Sequence, residues 1–360
     1  MIGVVIPMKK LLCMLLIPAL CLLSASCTQF LPQGRVNEHN ARLTVRFLDV
    51  GQGDSILLES GDEFVLIDAG ERDYGDEVLA YIESCGADEL KYMIATHPHS
   101  DHIGGLRTVL DGIDVEHFIS AETDCETYTW LKVLRAVDQQ KFPSVEARAG
   151  STYSFGNASF TILAPLYDYD EDYNNASIVI KVTCGFISFL LTGDAERESE
   201  YDMLEAGENL SADVLKCGHH GSSSSSSDKL LKAVNPSFAV VSCGKGNDYG
   251  HPHRETVRKL KALGCPMLRT DEMGTVTAYT DGVTLSFSSE KQDLSAYTYT
   301  VGDPKNSPDA LNYIGNKNSR VFHFSDCGGV QSMSERNKVT FENRGDAVKA
   351  GYTPCAACKP

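Results

Sequence analysis

Short apolar segments separated by polar turns run along most of the chain and predict a body rich in β-strands. Residues 43–48 alternate between apolar and polar side chains, as in a strand with one buried face, whereas residues 64–67 form a continuous apolar run, which is typical of a strand buried on both faces. Further strands are predicted at residues 55–58, 92–95, 160–163, 177–182, 186–191, 213–215 and 238–241. Helical spacing of apolar residues predicts helices at residues 74–84, 104–110 and 197–206. Strands with outer helices in two similar halves predict an α/β layered sandwich.

The first 27 residues have the pattern of an export signal. Two lysines precede thirteen apolar or small residues at positions 11–23, and small residues then lead to Cys27. This apolar core is too short to span a bilayer, so we expect a signal peptide that is removed. Cysteine directly after Ala25 and Ser26 resembles a bacterial lipobox, which implies lipidation of Cys27; the alternative is ordinary secretion. We expect an exported protein, either anchored as a lipoprotein on the outer face of the cytoplasmic membrane or secreted.

Composition divides the remainder of the chain. Residues 28–42 and 289–312 are polar and contain proline, as linkers do, and they separate a body at residues 43–288 from a small module at residues 313–360. The 49 acidic and 32 basic residues give a formal net charge of −17, which repels nucleic acid and anionic lipid at long range. An anionic substrate must therefore be held by local contacts.

The strongest chemical signal lies at residues 96–105, where a predicted buried strand ends and a helix begins. Three imidazoles and a carboxylate fall within six residues there: His97, His99, Asp101 and His102. Crowding these ionisable side chains costs free energy, because like charges repel one another, unless a cation binds among them. We therefore predict a metal site rather than a surface histidine cluster. The spacing directs His97 and His99 to one metal and the other two side chains to a second. Two metals about 3.5–4 Å apart activate water against a phosphodiester or an ester.

Four further motifs accompany this decamer in a fixed order, at residues 47–55, 66–70, 190–194 and 216–222. Together they resemble the metallo-β-lactamase superfamily, and within it the hydrolase domain of the ComEC/Rec2 DNA-internalisation proteins and their stand-alone relatives. The resemblance covers roughly residues 43–288 and implies an αββα sandwich that holds two divalent metals, zinc or manganese. The membrane channel of the competence proteins has no counterpart in this sequence, so we do not expect the chain to conduct DNA itself.

The resemblance also implies roles for individual residues. The metal ligands would be His97, His99, Asp101 and His102, with Asp194 bridging the two metals. Either His219 or His220 would complete the shell, and the other would face the substrate as a proton donor or phosphate contact; the sequence leaves that choice open. The third histidine of the β-lactamase pattern is replaced near residues 174–177, so lactam hydrolysis is not expected.

Other polar residues are expected around the site. Asp49 and Asp54 flank a Gly-Gln-Gly turn and are predicted to orient the ligands, unless they are only the polar ends of that turn. Asp68 is expected to hydrogen-bond backbone or a ligand histidine from beneath. Lys216 is a candidate to counter the charge of a substrate phosphate, the alternative being a solvated lysine. Two residues are expected to line the pocket: Ser222 and His251.

The terminal module carries the donor spacing of a closed metal site. His323 and Cys327 form one pair, and Cys355 and Cys358 form a second pair after twenty-seven intervening residues, which fits a structural zinc. The arrangement resembles the metal-binding N-terminal module of the Ada DNA-repair methyltransferase. Histidine stands in place of the cysteine that accepts the alkyl group there, so methyl transfer is not implied. A disulfide between two of the three cysteines is the alternative.

Charge differs between the module and the body. Residues 311–360 contain seven bases and four acids, a net charge of +3, against −20 for the rest. A basic module on an acidic hydrolase can hold DNA near the metals, unless it merely docks on the main domain. The candidate phosphate contacts are Arg320, Arg336, Lys338, Arg344 and Lys349.

Three functions are compatible with these features. The first is an exported, metal-dependent phosphodiesterase or nuclease acting on DNA, in which a pocket histidine protonates the leaving oxygen. The second is a phosphoesterase of phosphorylated cell-wall polymers such as phosphorylcholine-bearing teichoic acids. The third is a non-catalytic surface protein that binds DNA.

Overall fold

The computed structural model describes residues 36–121, 123–141, 143–301, 313–324, 327–341, 347–348 and 350–355. The predicted signal peptide with Cys27, residues 28–35 and 302–312 of the two predicted linkers, and the predicted site residues Arg344, Lys349 and Cys358 lie outside these residues. Within the described ranges, no helix combines the length and the hydrophobicity that crossing a bilayer requires.

Two large mixed sheets form the body. In chain order the strands are β1 (Leu43–Phe47), β2 (Ile56–Ser60), β3 (Glu63–Ile67), β4 (Glu89–Ala95), β5 (Asp114–Ser120), β6 (Ser144–Glu146), β7 (Thr152–Phe155), β8 (Ala158–Ala164), β9 (Val179–Cys184), β10 (Ile187–Leu191), β11 (Val214–Lys216), β12 (Phe238–Val241), β13 (Met267–Arg269), β14 (Val276–Thr280), β15 (Thr284–Ser289) and β16 (Thr298–Thr300). One sheet has the order β16-β15-β14-β1-β2-β3-β4-β5-β6, and the other has the order β13-β12-β11-β10-β9-β8-β7.

Helices cover the outer faces of the two sheets. Their bounds are α1 (Gly75–Ser84), α2 (Ser100–Ile103), α3 (Leu106–Gly112), α4 (Tyr128–Gln140), α5 (Arg197–Glu205), α6 (Asp228–Val234), α7 (Arg254–Ala262) and α8 (Thr270–Met273). Helices α1, α3 and α4 pack on the first sheet, and α5, α6 and α7 pack on the second. The order of layers is thus helix, sheet, sheet, helix.

Alternating side chains explain why the sheets are covered on both faces. In β3, Val65 and Ile67 join the core between the sheets, whereas Phe64 and Leu66 join the core beneath α1 and α3. Successive side chains of a strand point to opposite faces, so a continuous apolar run supplies both cores. Burial of one such side chain contributes about 1.5–3 kcal/mol. The predicted α/β sandwich is confirmed, and each predicted strand and helix overlaps an observed one.

A small sheet follows the second linker. Its strands are β17 (Tyr313–Asn316), β18 (Val321–Phe324), β19 (Lys338–Phe341) and β20 (Thr353–Pro354), in the order β19-β17-β18-β20, and a short helix α9 spans Gly328–Gln331. Its apolar cluster is small and centres on Phe322 and Tyr352. A core of this size stabilises a module only marginally, which is consistent with a need for another stabilising element.

Candidate metal centre

The predicted site residues come from loops at the carboxyl ends of strands. Asp68 follows β3, the decamer follows β4, Asp194 follows β10, and His219 follows β11. Strands β3 and β4 are parallel in one sheet, and β10 and β11 are parallel in the other. Parallel strands of one sheet end at the same edge. The loops after β3 and β4 therefore lie side by side, and so do the loops after β10 and β11, although the loops are distant along the chain.

Four buried or nearly buried donors converge at the centre of this edge. Nε2 of His220 lies 3.1 Å from Oδ2 of Asp101 and 3.4 Å from Oδ2 of Asp194. Nε2 of His102 lies 3.3 Å from Oδ1 of Asp194 and 3.9 Å from Oδ2 of Asp101. Three of these side chains are at most 2% exposed, and only Asp101 is partly open, at 26%. Two imidazole nitrogens and two carboxylates in this arrangement form the ligand set of a tetrahedral metal ion.

A second pair of histidines lies beside the first group. Nε2 of His97 is 3.0 Å from Nδ1 of His99 and 3.9 Å from Oδ2 of Asp194. His97 is fully buried, and burial together with the neighbouring His102 holds the pKa of His97 well below its usual value. A neutral imidazole keeps the lone pair that a metal requires.

Hydrogen bonds behind the histidines fix which ring nitrogen faces inward. Nδ1 of His102 donates to Oδ2 of Asp68 at 2.8 Å, and Nδ1 of His220 donates to the carbonyl of Ser242 at 3.0 Å. The carboxylate of Asp68 also accepts hydrogen bonds from the hydroxyl and the backbone amide of Thr96, at 2.6 and 2.9 Å. In both histidines Nε2 is therefore the atom left to bind a metal. Asp68 thus lies beneath a histidine, as the sequence analysis expected.

Asp54 is part of the site, whereas Asp49 is not. Asp54 is buried, and its carboxylate faces the Nδ1 atoms of His102 and His220 at 3.9 and 3.5 Å. Gly53, the residue before Asp54, lets the two backbones pass close together, because a Cβ on Gly53 would lie 2.3 Å from the carbonyl oxygen of Asp101. Asp49 instead pairs with Lys291 at 3.0 Å near the surface, so the expectation that it orients a ligand was wrong.

Lys216 also departs from the expectation. Its side chain is fully buried and pairs with Asp54, while Nζ donates to the carbonyl of Gly193 at 2.8 Å and lies 3.7 Å from Asp194. It is therefore neither a solvated lysine nor a contact for a substrate phosphate. Burial alone would lower the pKa of Lys216, but the carboxylates of Asp54 and Asp194 outweigh it and raise that pKa. The same pairing brings the pKa of Asp54 down to about 2 against the effect of its own burial.

The paired histidines occupy a strained turn that separates them. His219 and His220 both have left-handed backbones, with φ of 47° and 53°, a conformation that costs roughly 1–2 kcal/mol per residue and is retained where function requires it. His220 is directed into the buried cluster. His219 is a quarter exposed, lies 3.7 Å from Asp194 and donates from Nδ1 to Oε1 of Glu196 at 2.8 Å. The geometry therefore makes His220 the candidate metal ligand. His219 lies on the solvent-exposed side of the cluster, which we call the opening.

Glu196 and Gln52 are site residues that the sequence analysis missed. Glu196 also accepts the hydroxyl of Ser224 at 2.8 Å, and the hydrogen bond from His219 lowers its pKa. Gln52 lies 3.4 Å from Nδ1 of His251 and accepts the amide of Gly244 at 3.1 Å. The available signal was their place in the sequence, since Gln52 lies inside the motif at residues 47–55 and Glu196 follows Asp194 by two residues.

The two expected pocket residues differ. The ring of His251 lies 5.4 Å from that of His219 at the rim, and burial with the nearby His220 and His219 lowers the pKa of His251 to about 4. Ser222 is buried behind the turn, where its hydroxyl lies 2.9 Å from that of Ser224. Ser222 therefore contributes to the structure of the loop of six serines at residues 222–227 rather than lining the opening.

Charge at the centre calls for a cation. Burial raises the pKa of Asp194, yet His102 and His220 outweigh it and hold that pKa well below its usual value; both histidines have correspondingly raised pKa values. Oδ1 of Asp194 and Nε2 of His102 are buried without a hydrogen-bond partner. A bound metal would displace the protons from these imidazoles and engage both atoms. Asp54, His102, Asp194 and His220 offer donor atoms within 4.8 Å of one another.

A second donor cluster lies in the terminal module. His323, Cys327 and Cys355 present ligand atoms within 4.8 Å of one another, and Nδ1 of His323 is 3.4 Å from the sulfur of Cys327. Gly329 passes directly over this cluster, because a Cβ there would lie 2.8 Å from Cε1 of His323. The structure thus brings together the three predicted ligands that it describes.

Comparison with known proteins decides the family. The profile of the metallo-beta-lactamase superfamily matches residues 48–245, which include the donor residues of the central cluster. The chain belongs to the metallo-beta-lactamase superfamily. It is accordingly a metal-dependent hydrolase by family, with a buried aspartate and histidine site of the kind that holds divalent metals.

Three relatives illustrate the relationship. The chain is 31% identical to ComE operon protein 3 of Bacillus subtilis over 64% of its own length and 32% of that protein, and 30% identical to competence protein ComA of Neisseria gonorrhoeae over 70% and 34%. It is 24% identical to exodeoxyribonuclease WalJ of Streptococcus pneumoniae over 47% and 62%. The match spans about a third of the length of each of the first two relatives.

Proposed function

We propose that this metallo-beta-lactamase family member is a phosphodiesterase or nuclease that hydrolyses DNA with two divalent metals, zinc or manganese. The observation that carries the proposal is the surplus of donors around Asp194, whose oxygens lie within 3.9 Å of the Nε2 atoms of four histidines. One tetrahedral ion uses Asp101, His102, His220 and Asp194. His97 and His99 remain for a second ion. One relative named as a competence protein and one named as an exodeoxyribonuclease support DNA as the substrate.

The residues of this chain have distinct tasks in such a reaction. Divalent metals bound here would lower the pKa of a water molecule and polarise the phosphoryl oxygens. Asp68, Asp54 and the carbonyl of Ser242 hold the histidines in the orientation that keeps Nε2 inward. Glu196 holds the ring of His219 at the opening, where Nε2 can donate a proton to the leaving oxygen.

The test is hydrolysis by the purified chain without residues 1–27. Labelled single-stranded and double-stranded DNA and bis(p-nitrophenyl) phosphate are incubated with zinc or manganese, and Asp194→Ala serves as the control that removes the shared carboxylate. We expect cleavage of DNA and of the small diester by the wild type alone. Hydrolysis of the small diester without any cleavage of DNA would contradict the proposed substrate.

A phosphoesterase acting on a cationic wall-polymer head group is the second candidate, because of a cleft beside His99. The ring of Tyr173 lies 6.0 Å from that of His99 and lines this cleft of about 940 Å³. Its charged lining residues are Asp124, Glu146, Arg148, Asp168, Asp170 and Glu171, with Tyr167 and Tyr169 between them. Carboxylates and aromatic rings together favour a cation such as choline over a polyanion. Faster hydrolysis of p-nitrophenyl phosphorylcholine than of any DNA would favour this candidate.

For the terminal module we propose a structural zinc held by His323, Cys327, Cys355 and Cys358. We also propose that the basic residues of the module contact DNA: Arg320, Arg336, Lys338, Arg344 and Lys349. Three of the zinc donors already lie together, and sulfur with nitrogen is the donor set that zinc prefers in closed sites. The test is the zinc content of Cys355→Ser against Cys85→Ser, a cysteine of similar partial burial elsewhere in the chain. Loss of one zinc only in the first variant is expected, and equal zinc in both would contradict the site.

We also propose that the protein is exported and anchored through Cys27. The proposal depends on the basic start, the short apolar core and the small residues before that cysteine. Incorporation of labelled fatty acid into the wild type and its absence from Cys27→Ala would support it. Release of both proteins into the medium without label would favour ordinary secretion.

A further inference from the structure

The loop between β12 and α7 presents an aromatic ring at the rim of the site. The side chain of Tyr249 is 68% exposed, and its ring stacks on that of His251 at 5.6 Å with an interplanar angle of 19°. The ring of His251 in turn lies 5.4 Å from that of His219. A line of three rings therefore leads from the solvent to the opening above Asp194.

Exposure by itself indicates nothing, because Tyr128 and Tyr167 are 70% and 64% exposed. The ring of Tyr128 is covered on one side by Lys132 at 4.2 Å. Tyr249 differs in its place beside the catalytic opening and in the orientation that His251 imposes on one of its faces. Its other face is left for a flat partner.

Hydrogen bonds hold the Tyr249 loop in place. Asn247 donates to the carbonyls of Gly244 and His251 at 2.8 and 2.7 Å and accepts the amide of His251 at 2.9 Å. Gln52 ties both ends of the same loop to the turn that precedes Asp54. A ring that is fixed before binding loses little conformational freedom when a partner stacks on it.

Charge distinguishes the two approaches to the metals. Helix α7 begins five residues after Tyr249. It carries four bases and one acid: Arg254, Glu255, Arg258, Lys259 and Lys261. Arg197 adds a guanidinium near this side, 3.4 Å from the carbonyl of Ser223. The cleft lined by Tyr173, whose ring lies 6.0 Å from that of His99, has five carboxylates and one arginine along its lining. A chain of phosphates is repelled from that cleft and attracted to the side of α7.

We propose that Tyr249 is a stacking platform for a nucleobase of the DNA strand, next to the phosphodiester that is hydrolysed. This inference rests on the proposed function and adds the path of the strand, which passes the metals along the Tyr249 loop and α7. Aromatic rings stack on any base, because every base has a flat π-face, so the platform binds single strands without sequence preference.

The test compares two single-stranded oligomers of equal length and equal charge. One is oligothymidylate, and the other is the same phosphate backbone built from abasic sugars. Removal of the ring in Tyr249→Ala should raise KM for oligothymidylate about tenfold while kcat stays within about twofold, and it should leave KM for the abasic oligomer unchanged. Tyr249→Phe retains the ring and should behave as the wild type. Tyr128→Ala is the matched control and should change neither KM.

Two results would overturn the inference, and they are distinguishable from failure of the proposed function. An unchanged KM of Tyr249→Ala on oligothymidylate, or an equal rise on both oligomers, excludes stacking on a base while hydrolysis of DNA stands. A wild type that hydrolyses neither oligomer with zinc or manganese overturns the proposed function itself, and the platform with it.

Discussion

The central cluster and the cluster in the terminal module offer a metal different surroundings. The central cluster lies within a large sandwich and supplies oxygen and nitrogen from Asp101, His102, Asp194 and His220. Behind these side chains lie Asp54, Asp68 and Lys216. His323, Cys327 and Cys355 lie on a four-stranded sheet with a small apolar core and supply sulfur and nitrogen. Thiolates without an opening suit a structural ion, whereas carboxylates beside an opening suit catalysis.

The difference teaches where the stability of each region comes from. In the sandwich three apolar cores hold the loops in place, and the loops position the donors, so we expect the fold to form before metal binds. In the terminal module the apolar cluster is small, so the proposed zinc would contribute folding free energy directly. The following variants separate the two cases.

The largest effect is expected from Asp194→Ala. This change removes the carboxylate that four histidines share, so hydrolysis should fall by about three orders of magnitude and the metal content should drop. Activity on the small diester and elemental analysis measure the two effects, and circular dichroism should show an intact fold. Asp49→Ala, an aspartate that pairs with Lys291 away from the site, is the control. Unchanged activity of Asp194→Ala would remove that residue from the site.

A large loss of stability is expected from Lys216→Met. The buried carboxylate of Asp54 then loses its ion pair, which should lower the free energy of unfolding by about 3–5 kcal/mol. Lys291→Met breaks the more exposed pair with Asp49 and should cost at most about 1 kcal/mol. Urea unfolding of the metal-free proteins measures both. Equal stabilities of the two variants would contradict the structural role of Lys216.

The paired histidines should differ in kind. His220→Ala should lose metal, because Nε2 of His220 lies between Asp101 and Asp194. His219→Ala should keep its metal and lose about a hundredfold in turnover, because His219 faces the opening. Metal analysis beside kcat separates them. If His219→Ala loses a metal equivalent as well, His219 is a ligand, and if both variants keep full activity and metal, the motif has no part in the site.

The smallest effect is expected from deletion of residues 311–360. Hydrolysis of a small phosphodiester should stay nearly unchanged, because the central donors lie elsewhere. Action on long DNA should weaken severalfold at low salt, and the loss should shrink as salt rises, since screening already suppresses phosphate contacts in the intact chain. Equal action of both proteins on long DNA at low salt would show that the module does not bind DNA.

Alternation and apolar runs were sufficient to predict much of the sandwich, as in β3 and β10, because their side chains feed two cores at once. The helix α4 and the strands β14 and β15 were missed. Strands β14 and β15 are rich in threonine and serine, and they become buried only by pairing with β1 and with each other. Their burial is a tertiary property, so the local pattern did not indicate it.

The sequence by itself determined the family and predicted the candidate donors of the decamer. His97, His99, Asp101 and His102 fall within six residues after a buried strand, and a charge cluster of that density has few uses other than metal binding. Cysteine spacing in the terminal module was informative for the same reason. Both features are local along the chain.

Only the tertiary structure decided which polar residues reach the site. Asp49 and Asp54 are equivalent ends of one turn in the sequence, yet one pairs with Lys291 and the other with Lys216. His219 and His220 are neighbours in the sequence. Their left-handed backbone conformation directs His219 to the opening and His220 into the buried cluster. Glu196 gains its position from His219, which lies 23 residues away along the chain. The physical reason is that direction and burial of a side chain depend on strands that are distant in the chain and adjacent in the sheet.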